Sequence, residues 1–163
     1  MYMKSPMENY NKNNPFIIIA KKTYDTIIDT LHNFTKLYIR NIIIIGLICA
    51  ISIGVNIFTF CFTLNYPNII ASVLSIVSFL LLYFGFKREL AYFINGNQAM
   101  MSFEKLANLE VNAILTLNNE DILNCVNTLY SLLGEIRACI RYFKYFSVAI
   151  IVLNIVVTII TCV

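Results

Sequence analysis

The chain has 163 residues, of which 59% are hydrophobic and only 13% charged, with a formal net charge of +3. The length allows one domain, the charged share is about half that of an ordinary soluble chain, and the positive excess is too small to suggest nucleic acid. No charged residue occurs in Asn41–Phe86 or in Tyr145–Val163, and two such runs beside so little charged surface exclude a soluble core. The expected fold class is an all-α integral membrane protein: a transmembrane hairpin, a cytosolic helical hairpin, and a third membrane helix continuous with a cytosolic heptad helix.

Residues 1–14 are polar and rich in Asn, the composition of a disordered tail. They lack the short basic lead and apolar run of a cleavable signal peptide. Asn14-Pro15 reads as a helix start, with proline at the first helical position. From there Tyr24, Ile27, Ile28, Leu31, Phe34 and Tyr38 share one helical face, opposite Lys21, Lys22, Asp25, Asp29 and Lys36. This predicts an amphipathic juxtamembrane helix over 15–40. Its apolar face lies in the lipid interface or covers the cytosolic helices, and the interface is preferred.

The charge-free run 41–86 would be about 69 Å long as one helix, roughly twice a bilayer core. Asn65-Tyr66-Pro67-Asn68 supplies the break, giving one span over 41–64 and another over 69–86. On the first span Gly46, Ala50 and Gly54 stand at four-residue spacing. On the second, Ser72, Ser75 and Ser78 cluster. Small residues on one face let helix backbones approach closely, so these predict the packing surface of the hairpin, or an oligomer interface through the first-span stripe.

Residues 87–144 read as a helical hairpin. Its first arm, 88–117, carries apolar Phe103, Leu106, Leu109, Ala113 and Leu117, and Asn118-Asn119-Glu120-Asp121 ends it and caps the next helix. On the second arm Ile122, Val126, Leu129, Leu133, Ile136, Ile140 and Phe143 form a heptad seam. It serves a coiled coil or packs against the first arm. The same frame runs without a breaker into a third span, 145–163, where Ser147, Asn154, Thr158 and Thr161 make a polar face. One long helix over 121–163 is therefore expected. Asn154 falls near the bilayer midplane, where a carboxamide needs a partner on a neighbouring helix or a water-filled path in an oligomer. Asn56 lies at a different depth by the same counting.

All 12 lysines and arginines fall on one side of this three-span scheme. The positive-inside rule then places the N-terminus and 87–144 in the cytosol and the C-terminus on the far side. The five cysteines show no metal or redox spacing and read as structural, with a Cys61–Cys162 pairing the one alternative. His32 reads as a surface histidine. No phosphate loop or hydrolase motif is present, and no span carries the charge that ion-coupled transport needs. No enzyme, cofactor, metal or small-molecule substrate is expected.

Residues 36–143, chiefly the run LLYFGFKRELAYFINGNQAMMSFEKLANLE (81–110), resemble in architecture the SLATT families, two-span effectors of bacterial conflict systems. The third span has no counterpart in that pattern. The resemblance implies membrane permeabilisation triggered by a partner protein. The apolar hairpin with its short turn also looks like the inclusion-membrane proteins of intracellular bacteria. The expected function is that of a small non-enzymatic membrane protein, oligomeric and pore-forming or membrane-perturbing, whose partners are the lipid bilayer and copies of itself. The alternative is a non-catalytic structural or scaffold subunit of a larger membrane assembly.

Overall fold

The structure is a computed structural model that describes residues 15–64, 66–95, 97–107 and 119–162. Its elements are α1 (Pro15–Thr63), α2 (Pro67–Asn95), α3 (Gln98–Ala107) and α4 (Asn119–Cys162). Three of them, α1, α2 and α4, include stretches long and apolar enough to cross a membrane, which fits a multi-pass membrane protein.

The turn between α1 and α2 forms where the proline and asparagines stand. Leu64 adopts a left-handed backbone (φ 53°), and its N–H closes the helix on the Phe60 carbonyl at 2.8 Å. Pro67, which has no N–H to leave unpaired, opens α2. The Tyr66 carbonyl accepts from the N–H groups of Ile69 and Ile70.

Two expected segment boundaries fall inside continuous helices, and one expected helix is interrupted. The amphipathic segment 15–40 and the first span are one uninterrupted helix, α1. Continuity is reasonable because Ile39-Arg40-Asn41 offers no helix breaker. The second span runs on past Lys87 and Arg88 to Asn95, so the arm expected over 88–117 is not one helix. The break falls near Asn97, whose Oδ1 accepts from the Ala99 N–H at 2.8 Å and so caps α3. The apolar side chains Phe103, Leu106, Leu109, Ala113 and Leu117 lie outside the described ones, as do residues 1–14. The long helix expected over 121–163 is α4, with Glu120 and Asp121 in its first turn, where carboxylates complement the helix dipole.

The chain divides into two compact units. The polar unit comprises the described parts of Met1–His32 and Tyr92–Ala138, and the apolar unit comprises Asn33–Ala91 and Cys139–Val163. In the polar unit the buried side chains include Tyr24, Ile27 and Leu31 of α1, Phe93 of α2, Met100 of α3, and Ile122, Val126, Leu129, Leu133 and Ile136 of α4. The α1 face that was expected to favour the lipid interface is thus covered within the chain at these positions, while Lys22, Asp25, Asp29 and His32 are exposed. Tyr24 donates its hydroxyl proton to Glu104 Oε1 at 2.8 Å.

In the apolar unit the core is Phe34, Tyr38, Ile45, Cys49, Leu82, Leu90, Phe143 and Ile150. Phe143 is fully buried. The rings of Phe34, Tyr38 and Phe86 surround it at centroid distances of 5.7, 5.5 and 5.0 Å. The Tyr38 hydroxyl donates to the Tyr83 carbonyl at 2.9 Å.

Candidate functional site: a polar seam inside the apolar unit

Apolar helices of this kind have little reason to bury polar side chains, yet this unit buries a set of them. Ser52 and Asn56 of α1, Asn68, Ser72 and Ser75 of α2, and Ser147 and Asn154 of α4 are all buried. On α4 the spacing explains the arrangement. Ile122, Val126, Leu129, Leu133, Ile136 and Phe143 are buried and Ile140 half-buried, and continuing the same frame reaches Ser147, Ile150 and Asn154. A four-three alternation keeps one face aligned over many turns. The polar residues of α4 therefore inherit the inward direction of the heptad seam.

Two threonines of α4 pair with α1 across the seam. Ser52 Oγ and Thr158 Oγ1 share a hydrogen bond of 2.6 Å. Thr161 Oγ1 donates to Asn56 Oδ1, also at 2.6 Å. Asn154, expected to bond a neighbouring helix, donates Nδ2 to the Ile150 carbonyl of its own helix at 2.8 Å, and its carboxamide also meets the Cys49 thiol of α1. Its Oδ1 has no hydrogen-bond partner. One turn of helix brings that carbonyl within reach of a carboxamide four residues on. The two threonines supply further interhelical pairs. Asn56, set apart by depth counting, is the residue that the α1 sequence concealed.

The small residues are placed differently from expectation. Gly46 is half-buried, and a Cβ there would meet the Phe79 ring at 3.4 Å. Ala50 is exposed, and Gly54 has nothing within 4 Å of a Cβ position. The inward face of α1 is Ile45, Cys49, Ser52 and Asn56, next to the glycine stripe rather than on it. On α2, Ser72 and Ser75 are buried and Ser78 half-buried, with hydroxyls donating to the carbonyls of Asn68, Ala71 and Ser75. Serines so bonded fill little volume and bring their own acceptor, which suits a close helix face.

Burial, assisted by the Glu89 carboxylate, pushes the Cys139 thiol up to about 11, and burial also raises Cys125; both stay protonated near neutrality. Cys61 is free and exposed, while the Cys162 side chain lies outside the described ones. Among the described residues no group of His, Cys, Asp and Glu could hold a metal ion. No protein-family model, curated protein or solved structure matches the chain.

Proposed function

We propose that this protein is a non-catalytic, multi-pass membrane subunit: a self-contained three-helix anchor that presents the end of α2, α3 and the first half of α4 to partner proteins. The observation that carries this reading is the inward direction of the α4 polar face. Its threonines bond Ser52 and Asn56 of the same chain, and exposed side chains such as Ile51, Ile57, Val152 and Ile159 cover the outside. A pore built between copies from that polar face would need these bonds broken. In the proposed orientation the exposed Arg40, Lys87 and Lys144 mark the cytosolic end and exposed Phe58, Phe62 and Tyr66 the far interface. Arg40 to Phe62 is about 33 Å of helix and Lys144 to Thr161 about 26 Å, close to the ~30 Å hydrocarbon thickness.

The second reading is a membrane-perturbing oligomer, the behaviour implied by the SLATT resemblance. It is favoured by the uncovered Ala50 and Gly54, a face on which a second copy could approach closely. One experiment separates the two. The purified chain, reconstituted in liposomes holding a self-quenched dye, retains the dye under the subunit reading, and its mass in nanodiscs is that of one or two chains. Leakage, with an assembly of four or more chains that Gly54→Leu disperses, establishes the second.

A further inference from the structure

Four residues of the apolar unit, contributed by all three of its helices, carry polar atoms with no hydrogen-bond partner. They are Asn56 Nδ2, both Nδ2 and Oδ1 of Asn68, Ser147 Oγ and Asn154 Oδ1. None of the four is more than 3% exposed. A hydrocarbon surround has no donors or acceptors to offer them, and each such group left unpaired is costly. Ser147 and Thr161, which bonds Asn56, are about 21 Å apart along α4. The unpaired atoms are therefore spread along the unit rather than gathered at one end.

We propose that this seam is a water-binding site inside the three-helix anchor. The chemistry of the unpaired set selects the ligand. It contains donors (the Nδ2 groups), acceptors (the Oδ1 atoms) and a hydroxyl that is both, so the ligand must donate and accept. No charged residue stands in either charge-free run, so an ion would enter without a counter-charge. Water meets both conditions, and buried waters ordinarily serve groups left in this position. As packed, the crevice lined by Leu74, Ser75, Leu153, Asn154 and Val157 has no room for a water. Uptake at Asn154 therefore requires α2 and α4 to part there.

The test uses the full chain in liposomes with 15N-labelled asparagine and water-edited solid-state NMR. Magnetisation from water is expected to reach the Asn154 carboxamide, far from either interface, as well as that of exposed Asn33. Transfer to Asn33 with none to Asn154 overturns the proposal. Asn154→Leu supplies an independent readout. If water serves Oδ1, leucine forfeits those bonds and the variant unfolds more readily than the parent. If the seam stays dry, leucine removes the unpaired Oδ1 together with the Nδ2 bond to the Ile150 carbonyl, and a variant as stable as the parent or more so overturns the proposal.

Discussion

Thr161 and Asn56, 105 residues apart in sequence, share a 2.6 Å hydrogen bond between the last turns of α4 and the C-terminal part of α1. Ser52 and Thr158 share a second bond across the seam, also at 2.6 Å. Because Asn56 Nδ2 has no partner, Thr161→Val leaves the whole carboxamide unpaired. The expected loss is about 1–2 kcal/mol, against an Asn56–Thr161 coupling nearer 0.6 kcal/mol in a double-mutant cycle. Steric trapping of the reconstituted chain measures both.

The aromatic cluster predicts a larger effect. Phe143 is fully buried beneath three rings, and Phe143→Ala removes the element they share. A loss of about 3–5 kcal/mol is expected, enough to lower the yield of folded protein in detergent. Tyr142→Ala, one residue away but exposed, is expected to change stability by no more than about 0.5 kcal/mol.

Leu64 is a position where substitution improves the fold. Its left-handed backbone strains a side chain that is itself exposed, and glycine adopts that conformation freely. Leu64→Gly is expected to stabilise the turn by up to about 1 kcal/mol. A rise in thermal midpoint checks it.

Tyr24 gives a pH dependence. Its burial, its bond to Glu104 and the charges of Glu104 and Asp25 all hold its proton, raising it well above the ordinary phenol value of 10. A group raised in the folded state stabilises fully below its unfolded value and stops doing so as pH rises through the folded one. The polar unit is therefore expected to lose stability progressively above pH 10. Tyr24→Phe removes that alkaline component and costs about 1–3 kcal/mol at neutral pH, the worth of a hydrogen bond to a charged group. Denaturation followed by circular dichroism at a series of pH values reads both.

The two glycines of α1 should behave oppositely. Gly46→Leu forces side-chain atoms against the Phe79 ring, an overpacking expected to cost about 1–3 kcal/mol. Gly54→Leu enters open space and is expected to leave the stability of the single chain within about 0.5 kcal/mol.

How far the sequence carried differs from element to element. The turn at Asn65–Asn68 was legible because proline and asparagine are local signals that packing seldom overrides. The inward line from Ile122 to Asn154 was legible because polar residues on the other sides of 120–144 reveal the period. On α1 no such contrast exists between Asn41 and Thr63. Periodicity there says which residues share a face but not which face is covered, and small size drew attention to Gly46, Ala50 and Gly54 instead of Ile45, Cys49, Ser52 and Asn56. Asn56 is hidden because counting depth as though each span began at one level sets it apart from Asn154. The break before α3 has its own local signal, since Asn95-Gly96-Asn97 is a turn-and-cap sequence.

The most direct test of the account is a disulfide between Ser52→Cys and Thr158→Cys, in a chain whose native cysteines are alanine. The native oxygens lie 2.6 Å apart, so cysteine sulfurs at the same positions are within bonding reach. Mild oxidation in intact membranes is expected to give an internal bond in a chain that still migrates as a monomer. Crosslinked dimers, or no bond at all, would mean that the polar face of α4 meets another chain or an aqueous path, and would contradict the self-contained anchor.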